Sequence, residues 1–359
     1  MKLSTCTLAR ALALALALPA ACPAAPRDPL PALAARPDAT SVSGLSSGAF
    51  MAVQYQVAYS SSVTGAGIVA GGPYYCAAGM LFTYVANCMG VPMTMLVTSP
   101  MAMAARNFAT IGVIDSLDNL KKARVYIFSG TNDTVVYQPA VDAAVTLFEE
   151  LGVKSENLRY VNTTPAGHAL LTPGFGNSCE VNETPYISQC QQDDVAYDQP
   201  GAILAHIYGP LNPPTSRRTG RLLAFDQREF AAESTSMADE AYAYVPQRCT
   251  DGAACRVHVA FHGCLQSQKF VQDDFYNRTS YNDWADTNDI IVLYPQVNDS
   301  QPWNQNGCWD WIGYTGPGYA FKGAPQMKAI RAMIARLTAP RGAAPVALNS
   351  GAVRLSRRD

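Results

Sequence analysis

The chain has 359 residues, of which 48% are hydrophobic and 15% are charged, and its formal net charge is −2. This length and composition support a full hydrophobic core and exclude an intrinsically disordered chain. No run of lysines and arginines marks a nucleic-acid-binding surface, so we expect no nucleic-acid partner.

Residues 1–24 have the pattern of an export signal. Lys2 and Arg10 supply positive charge next to the Ala/Leu run 11–18, which is too short to span a bilayer. Cys22 leaves a lipid anchor open as an alternative, although a proline stands where a lipobox usually has leucine. We expect a secreted protein, extracellular or periplasmic, with no membrane-spanning segment.

Behind the signal, the sequence predicts an N-terminal arm at 25–39, a single catalytic domain at 40–338 and a loose C-terminal tail at 339–359. The first half of the domain alternates strands and helices, as in an α/β protein with a mostly parallel sheet and helices on both faces. The predicted strands there are 40–43, 64–70, 123–128 and 158–161, and the predicted helices include 49–55 and 139–151. The second half predicts antiparallel strands at 221–230 and 240–245, further strands at 256–261 and 289–294, and helices at 270–287 and 324–337.

Gly44-x-Ser46-x-Gly48 lies between the first predicted strand and the first predicted helix. That is the context of a nucleophile elbow, in which a serine on a tight, strained turn needs neighbours without bulk. The N-terminus of the following helix places free N–H groups beside the hydroxyl. A plain Gly/Ser turn is the alternative, but the flanking strand and helix favour a catalytic serine at Ser46.

A serine hydroxyl needs a base, and the base needs an orienting acid. In an α/β-hydrolase the acid and then the histidine follow the serine at the ends of later strands. Asp133 comes shortly after the apolar strand 123–128, and His168 lies in a loop of small residues after the strand 158–161. Taken singly, the alternative for Asp133 is a turn or helix-capping aspartate, and the alternative for His168 is a surface histidine. Of the four histidines, only His168 is both downstream of the acid and at a strand end, so the order predicts the triad Ser46, Asp133 and His168.

An esterase also needs N–H donors for the oxyanion. One is usually the residue after the nucleophile, here Ser47, and the other comes from a loop that often carries His-Gly. The match is 257–264, with the N–H of Cys264 as the donor. In the usual chain order that loop precedes the nucleophile, whereas here it comes far later than His168. A circular permutation would bring it back beside Ser46, provided that the chain ends are neighbours.

Cysteine usage agrees with an oxidising compartment. Removing Cys6 and Cys22 from the ten cysteines leaves an even set of eight. The simplest of many possible pairings joins near neighbours and leaves one long-range link: Cys76–Cys88, Cys179–Cys190, Cys249–Cys255 and Cys264–Cys308. No CxxC pair occurs and histidines are few, so we expect no metal site.

The ordered set of motifs resembles the secreted single-domain polyhydroxybutyrate (PHB) depolymerases, which have a circularly permuted α/β-hydrolase fold. The matching segments span nearly the whole mature chain: 43–49, 130–133, 167–168, 261–266, 294–296 and 307–311. The resemblance implies hydrolysis of poly(3-hydroxybutyrate) and related short-chain polyhydroxyalkanoate esters through an acyl-enzyme, without a cofactor. It also implies that Ser46, Asp133 and His168 form the triad and that Ser47 and Cys264 are the oxyanion donors. Many relatives have a linker and a polymer-binding module, which we do not find in this sequence.

Trp309 and Trp311 lie in a Gly- and Asn-rich segment, and their flat faces are suited to contact the methyl groups of a polyester. Core packing beside Cys308 is the alternative. Two other functions stay open: a secreted carbohydrate esterase of the feruloyl or acetylxylan type, and a catalytically inactive polymer-binding protein. We expect a monomer whose partner is a polyester substrate.

Overall fold

The structure is a computed structural model that describes residues 28–78, 84–91 and 96–344. The predicted signal at 1–24, the first three residues of the predicted arm and residues 345–359 of the predicted tail lie outside the described residues.

A large, mostly parallel sheet forms the centre of the molecule. The strands, numbered in chain order, are β1 (Thr40–Leu45), β2 (Val63–Val69), β3 (Arg124–Phe128), β4 (Leu158–Val161), β5 (Leu170–Leu171), β6 (Asn177–Ser178), β7 (Ile187–Gln189), β8 (Gln191–Gln192), β9 (Val195–Ala196), β10 (Arg221–Asp226), β11 (Glu240–Val245), β12 (Arg256–Phe261) and β13 (Ile290–Tyr294). Eight of them form one sheet in the order β10-β11-β13-β12-β1-β2-β3-β4, and β5 to β9 form two small separate sheets. In the large sheet, β11 pairs antiparallel with β10 and β13, and the other pairs are parallel.

The strand order shows how the sequence is permuted. If the strands of this sheet are renumbered along the chain from β10 to β13 and then from β1 to β4, their order across the sheet is 1-2-4-3-5-6-7-8. This is an α/β-hydrolase sheet whose first four strands are encoded last. β1 therefore lies in the middle of the sheet, with Val42 opposite Val259 of β12 and Ala66 of β2. The loops that follow β1, β3, β4 and β12 leave the same edge of the sheet, where α/β folds bind their ligands. The predicted circularly permuted α/β-hydrolase fold is confirmed.

Helices cover both faces of the sheet. They are α1 (Ser47–Ala58), α2 (Tyr84–Met89), α3 (Ser99–Thr110), α4 (Gln138–Glu150), α5 (Gln199–Tyr208), α6 (Gln247–Asp251), α7 (Gln268–Val271), α8 (Asp274–Arg278), α9 (Tyr281–Thr287) and α10 (Pro325–Thr338). Alternate residues of a strand point to opposite faces. Ser41 of β1 points to the face of α5, where its hydroxyl is 2.6 Å from the Tyr208 hydroxyl. Gly44 points to the face of α1, which approaches β1 more closely there than a Cβ would allow.

Two predicted elements differ from the observed ones. The predicted helix 270–287 is three short helices, because the backbone turns to positive φ at Gln272 (53°) and Ser280 (63°). The predicted strand 221–230 ends at Asp226, whose carboxylate accepts a backbone N–H two residues on and starts a 3-10 turn. Side chain-to-backbone bonds of this kind compete with a continuing strand.

The two ends of the described chain lie side by side. The Ala34 N–H donates to the Ala339 carbonyl at 2.9 Å. The Arg336 guanidinium donates to the carbonyls of Leu30 and Ala343 at 2.7 and 2.6 Å. Neighbouring ends are what a circular permutation requires, because the ancestral junction must be short.

Four disulfides join cysteines of the described residues, in the pairs that sequence spacing favoured: Cys76–Cys88, Cys179–Cys190, Cys249–Cys255 and Cys264–Cys308. The predicted disulfide bonds are therefore present. The last pair spans 44 residues and ties the loop after β12 to the segment that contains the tryptophans. In the chain-entropy model, closing a loop of that length raises the free energy of the unfolded chain by about 4 kcal/mol.

Candidate active site

Ser46 occupies a strained turn between β1 and α1. Its φ is 57° and its ψ is −125°, a combination that residues other than glycine rarely adopt. Two glycines make room for the turn. A Cβ on Gly48 would lie 2.3 Å from the Phe261 carbonyl oxygen, and a Cβ on Gly44 would lie 2.3 Å from the Gly48 carbonyl oxygen. The Gly-x-Ser-x-Gly spacing is therefore a steric requirement of this turn.

Asp133 and His168 form a buried, hydrogen-bonded pair. Asp133 lies in the loop after β3 and His168 in the loop after β4, so neighbouring parallel strands deliver both to one edge of the sheet. His168 Nδ1 is 2.8 Å from Asp133 Oδ2, and the side chains are 3% and 1% exposed. Asp133 Oδ1 accepts the N–H groups of Val135 and Val136 at 2.8 and 2.9 Å. The carboxylate is thereby fixed, and it orients the imidazole.

Ser46 and His168 line the same cleft. Among the described residues, no hydrogen bond joins the Ser46 hydroxyl to the imidazole, and contacts of this kind often tighten only when substrate binds. The other histidines lie elsewhere. His206, for example, contacts the Asn157 carbonyl from α5 at 2.9 Å.

Asn182, which local sequence patterns do not signal, ties the two loops together. Its Oδ1 accepts the N–H of His168 at 2.7 Å and the N–H of Thr134 at 3.1 Å. Its Nδ2 donates to the Asn132 carbonyl at 3.0 Å. One amide therefore holds the backbone on both sides of Asp133 and at His168. These three partners are 14, 48 and 50 residues away in the chain, so no short motif could have found this residue.

The loop 262–264 lies against Ser46, because a Cβ on Gly263 would be only 3.4 Å from the Ser46 Cβ. The Cys264 N–H makes no hydrogen bond to the described part of the chain. Ser47 opens α1, where the first N–H groups have no acceptor within the helix. Ser47 and Cys264 both line the cleft that also contains Ser46.

Aromatic and aliphatic side chains form the walls of the cleft, whose volume is about 380 Å³. The Trp311 ring stacks on Phe50 with centroids 4.8 Å apart, and the lining residue Trp303 is 78% exposed. None of the described residues that line the cleft is Asp, Glu, Lys or Arg. The remaining apolar and aromatic lining residues are Met89, Val135, Val136, Tyr186, Leu265, Ile312 and Tyr314.

Trp309 is not part of the cleft wall. Its side chain is fully buried, and its ring centroid is 5.0 Å from that of Phe261 and 5.5 Å from that of His262. The expectation that Trp309 contacts substrate is therefore corrected to a packing role. Asp310 accepts three backbone N–H groups of the turn that follows. It lies between Trp309, which is buried, and Trp311, which lines the cleft.

Within the described ranges, no group of three or more His, Cys, Asp and Glu side chains could hold a metal ion. No helix in the same part of the chain is long and apolar enough to cross a membrane.

The permuted sheet and the serine elbow at its carboxyl edge define the chain as an α/β-hydrolase. It is 43% identical over 328 residues to "Poly(3-hydroxybutyrate) depolymerase" of Delftia acidovorans, a match that covers 89% of this chain and 64% of the relative. It is 40% identical over 321 residues to "Polyhydroxybutyrate depolymerase" of Talaromyces funiculosus, covering 84% of this chain and 90% of that relative. The chain belongs to the PHB depolymerase family.

Solved structures agree with this assignment. A PHB depolymerase, in a serine-to-alanine variant complexed with an R3HB trimer, superposes with a TM-score of 0.79 at 36% identity, covering 87% of this chain and 99% of that one. The PHB depolymerase of Penicillium funiculosum superposes with a TM-score of 0.78 at the same identity and coverage. No protein-family model matches the chain. The chain spans slightly under two thirds of the Delftia relative.

Proposed function

We propose that this chain is a secreted serine esterase that hydrolyses poly(3-hydroxybutyrate) and related short-chain polyhydroxyalkanoate esters to oligomers and monomers. The supporting observation is the buried 2.8 Å contact between His168 and Asp133, in the cleft that also contains the strained Ser46. Ser46 is the nucleophile, His168 the general base and Asp133 the group that orients the base.

The reaction has two steps. In the first, His168 Nε2 takes the proton of the Ser46 hydroxyl as the oxygen attacks the ester carbonyl carbon, and the alcohol end then leaves with that proton. In the second, His168 takes a proton from water as the water oxygen attacks the acyl-serine carbonyl, and it returns that proton to the Ser46 oxygen as the bond to the acyl group breaks and the acid is released. In both steps the N–H groups of Ser47 and Cys264 hold the negative carbonyl oxygen.

The cleft fits an uncharged, methyl-bearing polyester. Its described lining has no charged side chain to pair with an ionic substrate. Trp311 and Trp303 present flat apolar surfaces to the methyl groups of the polymer. The related depolymerase that was solved with an R3HB trimer supports the same substrate class. Trp311, backed by Phe50, is the side chain that we assign to substrate contact.

Secretion is supported by two features. Residues 1–24 have the pattern of a cleaved export signal, and four disulfides are typical of proteins that leave the cytoplasm. In this proposal the mature chain is one catalytic domain at 40–338, preceded by the arm and followed by the tail.

The test compares wild type and Ser46→Ala on an amorphous PHB suspension. We expect wild type to clear the suspension and release 3-hydroxybutyrate oligomers and monomers, identified by mass spectrometry. Ser46→Ala should keep the wild-type circular dichroism and lose turnover, because the neighbouring hydroxyl, that of Ser47, lies outside the strained position and accepts the buried Trp309 N–H at 3.3 Å. Near-wild-type clearing by Ser46→Ala would overturn the assignment of the nucleophile.

The same preparation separates the two other functions that the sequence left open. A carbohydrate esterase would release ferulate or acetate from feruloylated or acetylated xylan and leave the polyester intact. A catalytically inactive polymer-binding protein would bind PHB granules without clearing them and would not react with a serine-directed fluorophosphonate.

A further inference from the structure

His262 is a fully buried histidine that does not line the cleft. Its ring packs between Trp309 and Phe275, with centroids 5.5 and 6.2 Å away. Its Nδ1 is 2.7 Å from the carbonyl oxygen of Gly263, and its Nε2 is 3.1 Å from the backbone nitrogen of Val297. Both ring nitrogens therefore have a backbone partner, and neither is available to a substrate.

These partners settle the protonation of the ring. A carbonyl oxygen can only accept a hydrogen bond, so Nδ1 carries the proton. A backbone N–H can only donate, so Nε2 is bare and accepts from Val297. Burial lowers the pKa of His262 to about 4, which keeps the ring in this neutral form at neutral pH. The side chain thus joins β12 to the segment after β13 through one fixed tautomer.

The bond to the Gly263 carbonyl bears directly on the Cys264 N–H, because the two groups belong to one peptide unit. In a planar trans peptide the C=O and the N–H point in opposite directions. Holding the carbonyl towards the buried ring therefore aims the N–H of Cys264 away from the core. The residue itself lines the cleft, so that direction faces the Ser46 side.

The neighbouring N–H groups of the loop are committed elsewhere. The Gly263 N–H donates to Gln266 Oε1, and the Leu265 N–H donates to the Asn306 carbonyl, each at 2.7 Å. Between them, the Cys264 N–H makes no hydrogen bond to the described residues. The N–H groups on either side of Cys264 are therefore occupied, whereas the Cys264 N–H is not.

We propose that His262 is a positioning residue for the oxyanion hole: its Nδ1–H holds the Gly263 carbonyl, and this sets the direction of the Cys264 N–H. The inference rests on the proposed esterase function, in which that N–H stabilises the oxyanion. Because the oxyanion forms after the ester has bound, His262 affects kcat and leaves KM nearly unchanged.

Two conservative variants separate this role from simple packing. The amide nitrogen of His262→Asn occupies the place of Nδ1 and keeps the bond to the Gly263 carbonyl. The amide oxygen of His262→Gln reaches the place of Nε2 and keeps the bond from Val297 instead. Each variant loses one hydrogen bond and the aromatic ring, so their stability losses should be similar. Only His262→Asn retains the contact that aims the Cys264 N–H.

The experiment measures kcat, KM and thermal midpoint for both variants on a soluble p-nitrophenyl butyrate ester. Loss of a whole oxyanion donor costs about a hundredfold or more in kcat, so we expect a loss of about tenfold or more for His262→Gln. His262→Asn should stay within about threefold of wild type, and KM should change little in either. His262→Leu, which loses both bonds, should match or exceed the kcat loss of His262→Gln.

Two results would overturn the inference. One is an equal kcat in the Asn and Gln variants, and the other is a loss of kcat that is proportional to the loss of thermal midpoint across the variants. Failure of the proposed function would look different. In that case wild type would show no turnover, or Ser46→Ala would retain it, and the His262 comparison would not apply. If either His262→Asn or His262→Gln fails to fold, the other is tested by its affinity for a trifluoromethyl ketone, whose adduct mimics the oxyanion. That affinity then replaces kcat as the measure of oxyanion stabilisation.

Discussion

The Asp133 and His168 loops meet through a single amide side chain. Asn182 accepts an N–H from each loop and donates back to the Asp133 loop. A shift of either loop would change the angle at which the carboxylate meets the imidazole. Reactions that depend on placement lose rate steeply with small displacements, so we expect Asn182 to affect the rate although it does not line the cleft.

Asn182→Ala should therefore lower kcat on a butyrate ester by roughly tenfold and change KM little, because the cleft walls that bind the ester are intact. Steady-state kinetics checks this. Asn212→Ala is the matched control, since Asn212 also bridges from its amide to a backbone carbonyl, that of Thr287, but its contacts lie outside the Asp133 and His168 loops. Equal kcat values for the two variants would contradict the assigned role.

A second buried histidine, His258, forms the middle of a hydrogen-bonded chain beneath β1. Its Nδ1 is 2.6 Å from the Ser41 hydroxyl and its Nε2 is 2.8 Å from the Ser43 hydroxyl. The two serines reach the hydroxyls of Tyr208 and Tyr281, each at 2.6 Å. Burial lowers the pKa of His258 to about 3, so the imidazole at the centre of these hydrogen bonds is neutral.

The sign of the resulting pH effect follows from the unfolded state. Unfolded chains protonate a histidine below its ordinary pKa of about 6.5, whereas the folded protein resists protonation of His258 down to about pH 3. Stability is therefore lost as the pH falls through that window. Between pH 7 and pH 4 we expect the gap in unfolding free energy between wild type and His258→Asn to narrow by roughly 3 kcal/mol, measured by urea denaturation. A gap that is constant with pH would refute this.

Among the elements, those next to the nucleophile could be predicted best. The Gly-x-Ser-x-Gly spacing and the change from strand to helix periodicity are local signals, and β1 and α1 begin and end close to the predicted residues. The predicted helix 270–287 failed because long-range contacts decide its breaks. At Ser280, for example, the hydroxyl donates to Asp198 at 2.7 Å while the backbone has a φ of 63°. No local pattern encodes a partner that is 82 residues away.

The disulfide between Cys264 and Cys308 allows a prediction at the scale of this loop. Removing it as Cys264→Ser/Cys308→Ser should lower the unfolding free energy by about 2–4 kcal/mol and also lower kcat, because the loop that presents the Cys264 N–H loses its anchor. The control is Cys249→Ser/Cys255→Ser, whose disulfide lies at the other end of β12. That pair should lower the thermal midpoint and leave kcat unchanged. A normal kcat in the first variant would argue against the anchoring role.

Across the whole molecule, the permutation could be predicted from one misplaced motif. The His-Gly loop comes late in the chain, and only a permuted sheet brings it beside Ser46. The strand order now shows β12 next to β1. The division between Trp309 and Trp311 could not be predicted, because both lie in one short irregular segment and their burial depends on its path through space. The same holds for Asn182 and His262, whose roles arise from contacts between distant segments.

A re-permuted chain tests whether this arrangement is a rearranged α/β-hydrolase. The chain would be opened between Pro213 and Pro214, which are exposed and donate no N–H, and residues 344 and 28 would be joined by a short Gly/Ser linker. Because the ends lie side by side, we expect wild-type circular dichroism and esterase activity within a few-fold, as close termini usually allow. A matched permutant opened inside β12, at Val259, should not fold. Loss of the fold in the first chain would contradict the proposed relationship.

The most direct measurement locates the covalent intermediate. Wild type and Ser46→Ala would be treated with a fluorophosphonate and digested, and the modified peptide would be sequenced by mass spectrometry. We expect one adduct on Ser46 in wild type, its formation slowed in His168→Ala, and no adduct in Ser46→Ala. An adduct on another serine, or equal labelling of the Ser46→Ala variant, would show that the residues converging at this cleft do not form the catalytic centre.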